Sequence, residues 1–403
     1  MAEESRRPKF TLQERDRRWT RVRELMGLQA VDVLLVFPRW MPGDALFLAN
    51  QLGTVVFPQQ GEPALISAFG AQRVAPDTWI QDQRGATASG TTAVPFGQAV
   101  GALLREQGAE RQRIAVAGLA GGPYTLVRNP EGYVNYSSLI AVREALPNAT
   151  FVDGTPILSE ARYVKSEAEI DALRCSVEIA EASAAALVEH ARPGTPAAEV
   201  YAQMLFAQTC RGADPAHVAW IGGPWGESKR RIVGPPPGRI EQGWLMLNEI
   251  EPAVLGYTCQ IDAPVCVGPI PPEAQEMFDL GKAAFLRACE LMRPGATWRE
   301  VDEGTQAVAA GSRYKIEFLL HGRGLGDEGP MFIPTDDHRE SPLWNDVVRA
   351  NTVFVLKPYA YKGERAWDDP TYRFNTTWGD SVVVRDGGAV RLGTRPHALI
   401  SAG

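Results

Sequence analysis

The stretch Leu320-His321-Gly322-Arg323-Gly324-Leu325-Gly326-Asp327-Glu328-Gly329-Pro330 combines one histidine, one arginine and two acidic residues with four glycines. Its four glycines lie within eight residues and allow backbone conformations that side chains forbid. The apolar residues that lead into His321 are typical of a buried strand that ends at a site. One imidazole, one guanidinium and two carboxylates therefore indicate a functional turn, and the alternative interpretation is a solvated surface turn.

Length and composition are those of a globular protein without a basic surface. The 403 residues are 45% hydrophobic and 22% charged, and a prior of about 150 residues per domain predicts two or three domains. A net charge of -7 argues against a nucleic-acid partner. The sequence has no apolar run of membrane-spanning length and no secretory signal at its start, so we expect a cytoplasmic protein that binds a small molecule and no membrane.

Cysteine usage excludes two kinds of small stabilised domain. The five cysteines contain no Cys-X-X-Cys pair. A disulfide framework and a structural zinc site are therefore not expected, and most of the thiols are interpreted as small buried hydrophobes.

The first part of the chain alternates between helical and strand-like patterns. An amphipathic helix is predicted over residues 12–26, and a further helix over residues 99–106. Strands are predicted over residues 31–37, 55–57, 64–67, 93–96 and 113–117. This alternation predicts an α/β domain over residues 1–158.

The pattern changes after a boundary near residues 156–163. Ser166 and Glu169 have the spacing of a capping box, so a long helix should begin there and end before Pro193. Other helices are predicted over 197–209 and 272–292, a loop over 220–238, and strands over 244–250, 257–267, 351–356 and 379–385. Residues 159–403 are therefore predicted to form an α+β domain with a curved, mostly antiparallel sheet.

Five stretches, taken in order, resemble the carboxy-terminal domain of the creatinase and aminopeptidase P family. They are residues 247–251, residues 256–262, the turn that begins at His321, residues 353–358 and residues 378–382. The resemblance covers about residues 159–391. It implies a pita-bread fold for that part, a smaller creatinase-like α/β domain before it, and a homodimer.

The family's metallopeptidases hold two divalent metals with two Asp, one His and two Glu residues. In this sequence those five positions fall on Glu249, Gln260, His321, Lys357 and Gly379. A charged lysine has no lone pair to offer a metal, and placing it among dications would be strongly unfavourable. The resemblance therefore predicts neither a dinuclear metal site nor another cofactor.

The family's metal-independent members, among them creatinase and ectoine hydrolase, imply a hydrolase that cleaves a C–N bond in a small polar molecule. Glu249 would be the base or nucleophile and His321 its acid partner. Lys357 and Asp262 would set the local charge, and Asp327 or Glu328 would orient the substrate. For Lys357 the alternative interpretation is a structural salt bridge that replaces a lost ion.

Aromatic and polar residues near these positions are predicted to line a substrate pocket. The candidates are Arg323 as a carboxylate clamp, Trp225 in its Gly-Gly-Pro-Trp-Gly segment, Tyr257, Tyr359, Trp378, Gln260, and Arg39 from the first domain. For the aromatic residues the alternative is a place in the core. For Arg39 it is an exposed loop.

Three other functions stay open. The turn from His321 to Asp327 resembles that of the dimethylsulfoniopropionate lyases of this fold, which would place one metal on Glu249, His321 and Asp262. A metal-dependent Xaa-Pro peptidase is the second, although the family's substrate-protonating His falls near Arg231 or Ile232. A non-catalytic descendant that binds a ligand or partner is the third.

Overall fold

The computed structural model describes residues 8–37, 43–67, 78–88, 92–93, 96–121, 131–214, 217–225, 231–332, 341–362 and 376–403. The chain divides into two compact units. The larger comprises Val164–Gly324 and Gly329–Gly403, and the smaller comprises Lys9–Tyr163 and Leu325–Glu328. The division into domains of residues 1–158 and 159–403 stays a prediction.

Helices and strands alternate along the smaller unit. They are α1 (Leu12–Leu28), β1 (Val33–Val36), α2 (Gly43–Ala49), β2 (Thr54–Pro58), β3 (Ala64–Ser67), β4 (Asp82–Gly85), β5 (Thr87–Ala88), β6 (Thr92–Ala93), α3 (Phe96–Glu106), β7 (Arg113–Val116), α4 (Tyr136–Ala145), β8 (Thr150–Asp153) and α5 (Thr155–Tyr163). Six strands form one mixed sheet in the order β4-β3-β2-β1-β7-β8. The central strand β1 pairs antiparallel with β2 and parallel with β7. All four of its side chains are buried, as a continuous apolar run in a central strand requires.

Two details of the smaller unit differ from the sequence prediction. The strand expected over residues 93–96 was wrong, because β6 ends at Ala93 and α3 begins at Phe96. Helix α3 buries Val100, Leu103 and Leu104 against the sheet, so helical spacing governs this stretch earlier than predicted. Helix α5 occupies most of the segment expected to carry the domain boundary.

The described residues of the larger unit form α-helices and two five-stranded sheets. Its elements are α6 (Glu167–His190), α7 (Ala197–Thr209), β9 (Val218–Pro224), β10 (Arg231–Val233), β11 (Trp244–Ile250), β12 (Ala253–Val254), β13 (Tyr257–Thr258), β14 (Val265–Val267), α8 (Pro272–Leu291), α9 (Trp298–Gln306), β15 (Lys315–Glu317), β16 (Leu320–Gly322), β17 (Met331–Phe332), β18 (Val353–Leu356), β19 (Tyr359–Tyr361), β20 (Asp380–Arg385), β21 (Gly388–Arg391) and β22 (Ile400–Ala402). One five-stranded sheet has the order β10-β9-β11-β14-β22, and the other has the order β17-β16-β18-β20-β21. Among the described helices, none has the apolar length that crossing a bilayer requires.

Single backbone bridges join the two sheets of the larger unit. Asp262 pairs with Gly379, at the entry to β20, and Ile250 at the end of β11 pairs with Ile261. The Asp262 amide donates to the Gly379 carbonyl at 3.0 Å. The end of β11 and the start of β20 are therefore fixed close to one another, although about 130 residues separate them in the sequence.

The loop predicted over residues 220–238 was wrong. Strand β9 continues through Gly222, Gly223 and Pro224, and β10 follows at Arg231. Strand β9 lies between β10 and β11 and pairs antiparallel with both. Pairing on both sides overrides the weak intrinsic strand preference of glycine, and the proline stands at the end of the strand, where its missing donor costs little.

The predicted start of α6 is confirmed. The Ser166 side chain accepts a hydrogen bond from the Glu169 amide, and the Glu169 carboxylate accepts one from the Ser166 amide at 2.8 Å. A capping box satisfies two backbone donors that would otherwise be unpaired at the helix start.

We expect Ser166→Ala to lower the free energy of unfolding by about 1 kcal/mol, because it removes the acceptor for the Glu169 amide. Ser166→Gly should cost only a few tenths of that, because glycine suits the extended N-cap backbone. Urea unfolding of the three proteins would measure both effects. Equal losses for alanine and glycine would contradict the capping role of the hydroxyl.

Candidate active site

A buried lysine lies between two carboxylates in the larger unit. Lys357 directly follows β18, and its side chain is 4% exposed. Its Nζ donates to Glu249 Oε1 at 2.8 Å and lies 3.8 Å from Asp262 Oδ2. Burial alone would lower the pKa of Lys357, but the carboxylates of Asp262 and Glu249 raise that pKa above its usual value. The lysine is therefore held as an ammonium ion.

The pKa of Asp262 is raised, whereas a neighbouring cation usually lowers the pKa of a carboxyl group. Burial raises the pKa of Asp262 to about 6, and the ammonium of Lys357 only partly opposes this effect. The nearby Glu249 carboxylate adds to the rise. Two acids that share one cation in a buried place are expected to compete for ionisation in this way.

Gly379 leaves the space that the lysine needs. A Cβ atom at this position would lie 2.7 Å from Lys357 Cβ and 3.2 Å from the carboxyl carbon of Asp262. Real Cβ atoms do not approach other atoms as closely as 2.7 Å, so even alanine would force the lysine or the backbone to move. Glycine at 379 and lysine at 357 are sterically coupled.

A second buried cation lies beside a second pair of oxygen acceptors. The guanidinium of Arg323, which is 4% exposed, donates through Nη2 to Glu251 Oε1 and to Gln260 Oε1. Burial would raise the pKa of Glu251, but Arg323 and then His217 hold it well below the usual 4.5. Gln260 Nε2 in turn donates to Asp262 Oδ1 at 3.0 Å, so the two cation sites are joined.

His217 ends this series of contacts, and sequence reasoning missed it. Its Nδ1 lies 3.1 Å from Glu251 Oε2, and its side chain is 37% exposed. No sequence motif indicated it, because the contact depends on the pairing of β9 with β11. We call the series the ion-pair array, and its members are His217, Glu251, Arg323, Gln260, Asp262, Lys357 and Glu249.

Arg395 holds the backbone beneath the array. Its Nη2 donates to the carbonyl oxygen of Asp262 at 3.1 Å and to that of Gly379. The guanidinium also stacks 4.0 Å from the ring centroid of Trp378, and the ring of His397 stacks on Trp378 at 3.7 Å. Burial lowers the pKa of Arg395 to about 10. Trp378, 3% exposed, therefore packs as a support for the segment around Gly379.

His321 lies within β16, one residue before the strand ends. It pairs with Met331 on one side and with Val355 on the other, and it is 2% exposed. Its charge contributes to the lowered pKa of Glu251. The structure thus places His321 near Glu251, in a position that solvent does not reach.

The aromatic residues predicted to line a pocket make structural contacts. The Tyr257 hydroxyl donates to Glu169 Oε1 at 2.7 Å inside the protein. Tyr359 is buried against Tyr361, with ring centroids 6.5 Å apart. Trp225 is half-buried and packs on an apolar cluster formed by α8, β15 and β19. Their roles in substrate binding stay predictions.

The acids that follow Arg323 belong to the smaller unit. Glu328 accepts from Arg162 Nε at 2.8 Å, and Arg162 also pairs with Asp44. The Glu328 carboxylate further accepts from the Leu325 amide at 2.9 Å, so this side chain fixes its own turn. Asp327 is half-buried. Arg39 lies outside the described residues.

The donors present do not fit the two-metal set of the metallopeptidases. In the part of the chain that the structure describes, no group of three or more His, Cys, Asp or Glu side chains has metal-holding geometry. Lys357 places an ammonium where a carboxylate donor would be needed, Gln260 offers a neutral amide, and Gly379 has no side chain.

The architecture and the placement of these polar residues define a protein of the pita-bread class, with α+β character. The sequence pattern of the metallopeptidase family M24 matches residues 171–392, which is more than half of the chain. The chain belongs to this family. The predicted resemblance to creatinase and aminopeptidase P, and the predicted fold class, are confirmed.

Named relatives include both peptidases and a non-peptidase. A Xaa-Pro dipeptidase of Pyrococcus furiosus is 23% identical over 69% of this chain and 78% of its own. A creatinase of a Bacillus species is 25% identical over 46% of this chain and 45% of its own. The crystal structure of an X-Pro aminopeptidase from Thermotoga maritima superposes with a TM-score of 0.73 at 17% identity, over 95% of this chain and 99% of that one. Identity this low shows the shared fold alone.

We expect Gly379→Ala to lower the free energy of unfolding by about 1–3 kcal/mol, because the added methyl group overlaps Lys357 Cβ. Gly387→Ala is the matched control, since a Cβ there meets nothing within 4 Å. Denaturant unfolding of both variants would measure the difference. Equal stability for the two would contradict the close packing of Lys357 on Gly379.

The pairing of Glu251 with Arg323 predicts a pH-dependent stability difference. Because the folded-state pKa of Glu251 lies below 4.5, its ion pairs contribute stability above that pH and lose it as the pH falls through the folded pKa. Glu251→Gln should cost about 3 kcal/mol at pH 7, and the gap from the wild-type protein should narrow below about pH 4. Unfolding curves at both pH values would test this, with exposed Glu189→Gln as the control that changes little at either.

Proposed function

We propose that this protein is a metal-independent hydrolase of the M24 family that cleaves a C–N bond in a small polar molecule. The observation that carries the proposal is the ammonium of Lys357, 2.8 Å from Glu249 and 3.8 Å from Asp262. A fixed positive charge inside a family site that commonly uses metal dications favours acid and base chemistry by side chains.

Glu249 is the proposed base. Its side chain is 17% exposed, whereas those of Lys357 and Asp262 are 4% and 5% exposed. It is therefore the acid of this group that reaches furthest toward a bound molecule or water. Lys357 orients the Glu249 carboxylate through a hydrogen bond to Oε1, and an ionised carboxylate can accept a proton. Asp262 balances the lysine from the other side.

The substrate is proposed to be a small, polar nitrogen compound, and the enzyme a homodimer. Glu249 lies beside the buried charges of Lys357 and Asp262, and charged surroundings of this kind suit a molecule with polar groups of its own. Amidines, guanidines and cyclic imino compounds combine a C–N bond with that polarity. The creatinase relative acts, by its name, on a compound of this kind.

Metal content is the first test. Protein purified without chelators should contain no stoichiometric Mn, Fe, Co or Zn by elemental mass spectrometry, and added Mn²⁺ or chelator should leave its Tm unchanged. Lys357→Glu should instead gain a Tm increase with Mn²⁺, because it adds a carboxylate beside Glu249 and Asp262. Lys357→Met, which has no carboxylate, is the matched control and should gain none.

A metal-dependent Xaa-Pro dipeptidase is the second candidate, and the relative from Pyrococcus furiosus favours it. Stoichiometric metal in the wild-type protein, together with cleavage of Xaa-Pro dipeptides that chelator abolishes, would establish this candidate and overturn the first. Turnover of a guanidine or amidine that survives chelator would decide for the metal-independent hydrolase.

A further inference from the structure

A histidine stands beside the proposed base on the same face of the β9–β11 ladder. Glu249 pairs with Ala219 and Ile250 pairs with Val218, and the Glu251 amide donates to the His217 carbonyl at 3.0 Å. Alternate residues of a strand point to the same face. His217, which directly precedes β9, and Glu249 therefore lie diagonally across the ladder, with Cβ atoms somewhat less than about 7–8 Å apart.

The ladder position between these two side chains is occupied by a small residue. Ala219, the residue directly opposite Glu249, contributes only a methyl group. An imidazole and a carboxylate placed diagonally can each approach a different atom of one bound substrate, one at the leaving nitrogen and one at an attacking water. The pairing of β9 with β11 thus places a potential acid and a potential base beside one another.

Glu251 fixes the imidazole of His217 by one of its two nitrogens. Glu251 Oε2 lies 3.1 Å from Nδ1 of His217, and its other oxygen accepts from Arg323. A carboxylate that accepts from Nδ1 selects the tautomer in which Nε2 exchanges protons with a ligand. Glu251 therefore orients the His217 ring through Nδ1.

Exposure separates His217 from the other histidine near the array. The side chain of His217 is 37% exposed, whereas His321 is 2% exposed. A group that gives up a proton in every turnover must recover one from solvent, and access to water makes that step direct. His217 meets this condition within the same unit as Glu249.

We propose that His217 is the catalytic acid of this site, acting through Nε2, and that Glu251 is its positioning residue. The proposal rests on the proposed C–N hydrolase function. It gives His217 the role that the sequence suggested for His321. The substrate class it implies has a basic leaving nitrogen, which must take up a proton before it departs.

The reaction balances as the addition of one water. Glu249 takes a proton from water as the water oxygen bonds to the substrate carbon. The electron pair of the C–N bond moves to nitrogen, which takes the Nε2 proton of the His217 imidazolium. Glu249 then loses its proton to solvent, and His217 takes one up.

Nitrogen NMR tests the orientation of His217 without any substrate. In protein labelled with ¹⁵N-histidine, the His217 signals are assigned by their loss in His217→Gln. We expect Nδ1 to carry the proton whenever the ring is neutral, and Glu251→Gln to shift the neutral ring toward the Nε2-protonated tautomer. A wild-type neutral ring with its proton on Nε2 would overturn the proposal.

Kinetics then test the proton transfer, with an amidine or guanidine substrate taken from the screen. His217→Ala should lower kcat/KM by about 100-fold or more, and added imidazole should restore part of the loss, which a merely structural residue would not allow. His190→Ala, on helix α6, is the matched control and should retain full activity.

The outcomes separate this proposal from the function on which it rests. If the wild-type protein turns over such a substrate and His217→Ala is equally active, or inactive without any rescue by imidazole, the role of His217 is refuted and the hydrolase function stands. If the wild-type protein turns over no C–N substrate, the proposed function fails and the catalytic role fails with it, while NMR still reports the pairing of Glu251 with Nδ1.

Discussion

The ammonium of Lys357 is the constraint on which the larger unit depends. Glu249 lies on β11 of the first sheet, Asp262 lies between β13 and β14, and Lys357 follows β18 of the second sheet. Two carboxylates brought together inside a protein repel one another and resist desolvation unless a cation accompanies them. Lys357 supplies that cation from the chain itself, and its charge offsets the repulsion between the two carboxylates.

This single charge accounts for several other features of the sequence. Gly379 is required because Lys357 occupies the space of its side chain. Gln260, a neutral amide, connects the lysine's partner Asp262 to Arg323 without adding a third negative charge between them. In the ion-pair array Arg323 and Lys357 each lie between two oxygen acceptors, and this pairing lets so many polar side chains remain buried.

The sequence predicted the fold better than it predicted the site. The capping box at Ser166 and the helix over residues 197–209 follow from local rules and were right. The loop over residues 220–238 was wrong because glycine and proline were read locally, while β9 is held by partners on both sides. His217 was missed for the same reason, since only the β9–β11 register places it beside Glu251.

The contacts of Lys357 and Arg323 were predicted from the sequence only in part. The family resemblance predicted that Lys357 would neutralise Glu249 and Asp262, and the structure places its ammonium beside both. The pairing of Arg323 with Glu251 was not predicted. Which acid a cation contacts depends on the three-dimensional position of the side chains. Glu249 lies on β11 and Glu251 directly follows it, so both acids are close to the two cations. The structure pairs Glu249 with Lys357 and Glu251 with Arg323.

The array is buried at its centre and more exposed at its two ends, His217 and Glu249, and the proposed metal-independent reaction requires both parts. Lys357 and Asp262 are at most 5% exposed, Glu251 and Glu249 are 12% and 17% exposed, and His217 is 37% exposed. Charges held in the interior keep a fixed geometry and act at full strength because water does not screen them. Groups at the more exposed ends can exchange protons with solvent. In the proposed mechanism the buried cations orient the acids, and proton transfer falls to Glu249 and His217, the two most exposed side chains of the array.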